Sequence, residues 1–131
     1  MSKPHSVERR SRNELGAEGE RRAAAHLMRR GYRIVARNVR AGGVEMDLIA
    51  RRGPLVVFVE VKTRRTRGFG LPEEAVDSRK RARLIRGAAA WLHENRSGIR
   101  RTRFDVIVCE CRADERNWQL RHLEGAFDAN G

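Results

Sequence analysis

The residues best suited to chemistry lie on two neighbouring stretches: Asp47 in VEMDLIA, and Glu60 and Lys62 in LVVFVEVK. Glu60 and Lys62 are two apart, so in an extended segment they share a face. Asp47 lies thirteen residues before Glu60, and a hairpin about Gly53-Pro54 brings both carboxylates to the same end of a strand pair. A carboxylate that directly follows LVVFV is costly to bury unless it is paired or bound to a cation. Two converging carboxylates repel, and a divalent cation removes that repulsion. Mg²⁺ is typically held by one or two carboxylates together with waters and phosphate oxygens. A lysine beside them can position or deprotonate a water, or neutralise charge at a phosphate. Arginine would be a poorer base, because it stays protonated. Lys62 is one of three lysines in a chain with 26 arginines, so a lysine here is the exception. The plainer alternative stays open: Glu60 and Lys62 as the polar end of a strand, paired with each other or with neighbours.

Several elements must position these groups. Residues 1–12 lack apolar periodicity and read as a basic N-terminal arm. From Asn13, a candidate N-cap, Leu15, Ala23, Ala24, Leu27 and Met28 recur at helical spacing up to Gly31. Gly16 and Gly19 within that helix imply close packing of its first turns or a later start. Tyr32–Arg37 reads as a strand and Asn38–Gly43 as a turn. Val44–Arg51 alternates, with Val44, Met46, Leu48 and Ala50 on one face and Glu45, Asp47, Ile49 and Arg51 on the other. Leu55–Lys62 is apolar on both faces up to Glu60, the pattern of a central strand. A basic loop over Thr63–Pro72 and a short helical turn over Pro72–Val76 follow. Asp77 or Ser78 caps a helix running to about Asn95, with Leu84, Ile85, Ala88, Ala89, Trp91 and Leu92 as its stripe. Phe104–Cys109 is a further apolar strand, Trp118–Leu123 a candidate edge strand, and residues 128–131 a tail. The order α-β-β-β-α-β, with one more strand, predicts a single α/β domain over residues 13–127, its mixed sheet flanked by helices.

The 131-residue chain carries 29 Lys and Arg against 17 Asp and Glu, a net charge of +12. So basic a chain favours an anionic polymer as partner, nucleic acid first, and makes a protein-interaction module the least favoured class. Arg64, Arg65 and Arg67 follow Lys62 directly, and Arg79, Lys80 and Arg83 lie in the first turns of the second helix. Both groups are candidate phosphate contacts; a solvated basic face is the alternative for each. The longest strongly apolar run, Leu55–Val59, is far short of the ~20 residues of a membrane span. No signal-peptide pattern opens the chain, and two cysteines build no disulfide framework, so a cytoplasmic location is expected. Cys109 and Cys111 lack the spacing and partners of a structural zinc site.

Together these stretches resemble the YraN-like family of uncharacterised bacterial proteins. They also resemble the wider restriction-endonuclease-like, PD-(D/E)XK, superfamily and archaeal Holliday-junction resolvases. The resemblance rests on GAEGE (Gly16–Glu20), RGYRIVARNVR (Arg30–Arg40), EMDLIA (Glu45–Ala50), VVFVEVKTRR (Val56–Arg65), GFG (Gly68–Gly70), AVDSRKRARL (Ala75–Leu84), RFDVIV (Arg103–Val108) and HLEGAF (His122–Phe127). It spans about residues 13–127 and departs at Val44-Glu45, where the family has Gly-Glu. It implies an αβββαβ nuclease core, Mg²⁺ or Mn²⁺ as cofactor, and hydrolysis of DNA, branched or structured DNA included. It places Asp47 and Glu60 as metal ligands, Lys62 as the catalytic lysine, Glu20 as a further catalytic acid and Glu45 as an accompanying metal-site acid. By analogy with the resolvases it also implies a homodimer. From the residues alone, Glu20 reads equally as a surface acid paired with Arg22 or Arg51, and Asp105 as a structural acid. A non-catalytic nucleic-acid-binding protein that retains the fold is the competing function.

Overall fold

A computed structural model describes residues 11–66, 78–112 and 114–128. The first helix, α1 (Arg12–Arg29), starts one residue before the expected cap. Ser11, not Asn13, is the N-cap. The Ser11 hydroxyl accepts from the Glu14 N–H at 3.1 Å, and the Glu14 carboxylate accepts from the Ser11 N–H at 2.9 Å. This Ser-x-x-Glu box satisfies two N–H groups at once, which a cap at Asn13 would not. Of the expected N-terminal arm, Ser11 and Arg12 thus belong to the helix start, and residues 1–10 lie outside the described residues.

Five strands follow the expected order: β1 (Arg33–Ala41), β2 (Val44–Arg52), β3 (Leu55–Thr66), then α2 (Ser78–Glu94), β4 (Arg101–Arg112) and β5 (Trp118–Phe127). They form one mixed sheet ordered β1-β2-β3-β4-β5, antiparallel except for the parallel β3–β4 pair. β3 is central and β5 is an edge, as their sequences predict. Strands outrun their apolar cores, β4 by three residues at each end. β1 continues through Asn38 to Ala41, so the turn is only Gly42-Gly43, both at positive φ (59° and 76°), where a side chain would be strained. β3 continues through Thr63–Thr66, the start of the expected basic loop, because Thr63↔Cys109 through Thr66↔Arg112 extend the parallel ladder with β4. β5 runs on to Phe127, which pairs with Phe104. The expected turn over Pro72–Val76, and Arg67 and Asp77, lie outside the described residues.

Each sheet face holds one helix. On one face Leu84 and Ala88 of α2 join Val44, Met46, Ile49, Val56, Phe58, Phe104, Val106, Val108 and Phe127, with Ile85, Trp91 and Leu92 packed against them. Ala89 of the expected stripe is exposed instead, one position off the buried arc. On the other face Ala23, Ala24 and Leu27 of α1 join Tyr32, Leu48, Ala50, Leu55, Val57, Val59, Ile107 and Cys109.

Strict alternation fails in β2. Val44 and Met46 face α2, whereas Leu48 and Ala50 face α1 and Ile49 faces α2. The strand therefore turns over between Met46 and Leu48. β1 does the same: Val39 packs on the α2 side, although Arg37↔Leu48 and Val39↔Met46 pair across a single intervening position. The residue at that position of β2 is Asp47; its counterpart in β1 is Asn38.

Candidate active site

The β2–β3 ladder ends at Leu48↔Val59. One step further, Asp47 and Glu60 would be opposite each other, but here the strands part. The Asp47 carboxylate reaches across and accepts the Val61 N–H at 2.8 Å, standing in for the lost ladder bond. Hairpin arithmetic thus brings the two acids together, and the overturned strand frees Asp47 from the sheet. Both line a cleft of about 290 Å³ between the sheet and α2, with Arg40, Val44, Glu45, Lys80, Arg83 and Leu84.

Glu60 is buried, on the face toward α2, and pairs with the Lys80 ammonium. Burial, then the charges of Glu60 and Glu20, push the Asp47 carboxyl up to about 7, against the pull of the Val61 N–H and of Lys80. Glu20 of α1 belongs to the same field. Burial raises its pKa, and Glu45 and Glu60 raise it further, while the nearby Asn38 side chain works against them. The alternative partners for Glu20 are engaged elsewhere. Arg22 pairs with Glu18 at 2.9 Å, and Arg51 donates to the carbonyls of Gly53 and Ser97.

α1 approaches closely because Gly19 has no side chain. A Cβ there would overlap the Thr63 hydroxyl and lie 2.9 Å from both Thr63 Cβ and Cγ2, whereas one on Gly16 would meet nothing. Of the two helix glycines, then, only Gly19 serves close packing, and it seats Glu20, its neighbour, toward the strands.

Lys62 is exposed and makes no hydrogen bond or ion pair among the described residues. Arg79 and Arg83 are exposed on α2. The basic run after Lys62 is not one patch. Arg64 pairs with Glu110 at 2.7 Å and Arg65 pairs with Glu115, from successive and therefore opposite-facing positions of β3. Glu45 is exposed at the cleft. Among the described residues no three His, Cys, Asp or Glu side chains are gathered as a metal-holding group. The donors on hand for a cation are the hard carboxylate oxygens of Asp47 and Glu60. A pair of them suits Mg²⁺ or Mn²⁺, which keep several waters, and the repulsion that raises Asp47 is what a cation would relieve.

Sequence spacing leaves Arg40 of this cleft and Asn38 behind it unmarked. It also misses a chain of contacts outside the cleft. His26 Nε2 lies 3.0 Å from His122 Nδ1, and His122 Nε2 lies 2.7 Å from the buried Asp105 carboxylate. Asp105 further accepts twice from Arg103 and once from the Gly125 N–H, which ties β5 to β4. The Trp118 ring is covered by the Arg22 guanidinium, 4.5 Å from its centroid. Cys109 is buried, donates to the Gly19 carbonyl and has its thiol pushed up to about 11 by burial.

No helix among the described residues is long and apolar enough to cross a membrane. Residues 19–109 match the family described as Uncharacterised protein family UPF0102. Relatives of that name include one from Nitratidesulfovibrio vulgaris strain DP4, 45% identical over 118 residues (90% of this chain, 87% of that protein). One from Syntrophotalea carbinolica is 42% identical over 120 residues, 92% of this chain and 96% of that protein. One from Symbiobacterium thermophilum is 47% identical over 115 residues, 88% of this chain and 97% of that protein. The match covers most of the chain and both strands of the cleft, and the chain belongs to the UPF0102 family.

Proposed function

We propose that the protein is a divalent-metal-dependent endonuclease that hydrolyses phosphodiesters in DNA, branched or structured DNA included. The observation that supports it is the parting of β2 and β3: it leaves Asp47 and Glu60 together beside Lys80 and Arg83 of α2, with Lys62 exposed two residues further along β3. This is also where the resemblance to the restriction-endonuclease-like superfamily places its acids and lysine. Asp47 and Glu60 would hold Mg²⁺ or Mn²⁺, with Glu20 and Glu45 completing the negative field. The bound cation would polarise a phosphoryl oxygen and acidify a water. Lys62, on the same side of β3 as Glu60, orients the attacking water or takes up charge at the phosphate. Water oxygen bonds to phosphorus, the ester oxygen leaves and takes a proton. Arg79 and Arg83 receive the backbone at the cleft edge. By the resolvase analogy the acting form is a homodimer, since a four-way junction presents two symmetric strands.

A second reading, a DNA- or RNA-binding protein without catalysis, is favoured by one observation: Lys80 already neutralises Glu60, and the Val61 N–H engages Asp47. Incubation with labelled single-stranded, duplex, flap and four-way-junction DNA in Mg²⁺, Mn²⁺ or EDTA separates them. The nuclease cuts with metal only, and Asp47→Asn and Lys62→Ala each abolish cutting. Tight binding without cutting under any metal selects the second reading.

A further inference from the structure

We infer that the end of the sheet remote from the acids is a second contact surface for a nucleic-acid backbone, with a phosphate seated between Arg96 and Arg100. The inference rests on nucleic acid as the partner, which both readings above share, and not on catalysis.

Three connections meet at this end: residues 30–33 ahead of β1, 51–55 between β2 and β3, and 95–101 ahead of β4. The first carries Arg30 and Arg33, the second Arg51 and Arg52, the third Arg96, Arg100 and Arg101, and none carries Asp or Glu. Arg33 and Arg51 are direct cross-strand partners, a placement in which like charges repel. Elsewhere Arg22, Arg64, Arg65 and Arg103 each meet a carboxylate. Here the partners are neutral. Arg51 donates to the carbonyls of Gly53 and Ser97, in space that Gly98 leaves open: a Cβ on Gly98 would lie 2.6 Å from the Arg51 guanidinium. Arg52 donates to the Arg30 carbonyl and covers the Tyr32 ring. These two arginines knit the connections together and keep their charge. Arg33, Arg96, Arg100 and Arg101 are exposed, and their side chains make no hydrogen bond or ion pair among the described residues.

The shape of the surface supplies the seat. Arg96 and Arg100 flank a recess of about 260 Å³ lined also by Leu92, Ile99 and Thr102. Two guanidiniums suit a phosphate, the threonine hydroxyl adds a donor, and the aliphatic side chains suit a sugar. The carbonyl end of α2 would repel an anion, but Asn95 covers part of it, donating from its backbone to Leu92 and from its side chain to Trp91. Leu92 and Ile99 pack on the α2 side of the sheet, the side that holds the acid cleft. Leu84 of the cleft and Leu92 of the recess are eight positions apart on α2, about 12 Å along its axis. Phosphates of one DNA strand advance about 3.4 Å per nucleotide along the duplex, so one strand reaches both places about three or four nucleotides apart.

Fluorescence titrations of labelled duplex DNA in EDTA, across a range of salt, test the assignment. Arg96→Gln with Arg100→Gln should melt as the wild type does, because neither guanidinium has a partner in the fold, and should lower the salt slope of binding by about 2. Arg21→Gln with Arg29→Gln removes two charges from α1, on the other face of the sheet, and should leave the slope unchanged. Anionic phospholipid vesicles are the second probe. A wild-type slope in the Arg96, Arg100 variant, or equal slopes in the two double variants, overturns the inference. So does vesicle binding lost in that variant while DNA binding is kept, and so does a wild type that binds no DNA at low salt. Cutting in Mn²⁺ is read separately. A lowered slope without cutting by the wild type ends the nuclease reading alone; cutting with an unchanged slope ends this inference alone.

Discussion

Asp47 bears two opposing demands. The proposed cation site needs it ionised, yet the fold makes ionisation costly, lifting its carboxyl to about 7 by burial and by the neighbouring acids. An unfolded Asp titrates near 3.9, so the folded state holds its proton more tightly than the unfolded one. The stability this lends is present below about pH 4 and fades as pH rises toward 7. Asp47→Asn keeps an oxygen to accept the Val61 N–H and removes the charge. In EDTA at pH 8 the variant should therefore be more stable than the wild type by about 1–3 kcal/mol, an advantage that vanishes near pH 4. Denaturant titrations at the two pH values read it directly, and equal stability at pH 8 would show that Asp47 carries no strain. Asp105 behaves oppositely. Burial would raise its carboxyl, but bonds from His122, Arg103 and the Gly125 N–H outweigh that and hold it below its usual range. Its stabilisation is full above pH 4 and is lost as pH falls through the depressed value. Asp105→Ala should cost roughly 3–5 kcal/mol at neutral pH, because it leaves Arg103 without its buried partner; loss below 1 kcal/mol by urea unfolding would refute the arrangement. Asp47 and Glu60 are legible in the sequence because a hairpin fixes which residues meet. His26 and His122 are not, being 96 residues apart with no pattern between them.

The elements are legible where a periodic apolar core defines them and not where tertiary pairing extends them. Thr63–Thr66 carry no strand pattern, yet the parallel ladder to β4 holds them extended, so Arg64 and Arg65 become strand residues facing acids rather than a loop facing solvent. The overturn of β1 and β2 is equally hidden, because one left-handed residue, Asn38 at φ 49°, leaves no trace in an alternation count. The glycines of α1 point two ways in the sequence, and only contact with β3 tells Gly19 from Gly16. That contact gives an element-level prediction. Gly19→Ala forces α1 away from Thr63 and should cost about 1–3 kcal/mol by overpacking, despite the better helix propensity of alanine. Gly16→Ala meets nothing and should be neutral or stabilising by up to ~1 kcal/mol. Urea unfolding of the two variants checks both signs, and a stable Gly19→Ala protein would mean the helix can shift without loss.

Across the whole molecule the excess of +12 is not spread as composition suggests. Pairing within the fold leaves that excess unchanged but sets where it lies: Arg64 meets Glu110, Arg65 meets Glu115, Arg103 meets Asp105 and Arg22 meets Glu18. On α2 the exposed Arg83 lines the cleft beside the acids, and the exposed Arg79 precedes it by one helical turn. Nucleic-acid affinity falls with salt in proportion to the phosphates neutralised, so the slope counts the cations that truly reach the backbone. Arg79→Ala and Arg83→Ala should each weaken DNA binding and reduce the salt slope by about 1. Arg65→Ala removes the same formal charge from a paired position, so it should leave the slope unchanged and lower stability instead. Fluorescence titrations of duplex DNA across a range of salt, run in EDTA so that no strand is cut, measure all three. A slope lowered equally by Arg65→Ala would mean that net charge alone, and not the placement of these arginines, governs binding.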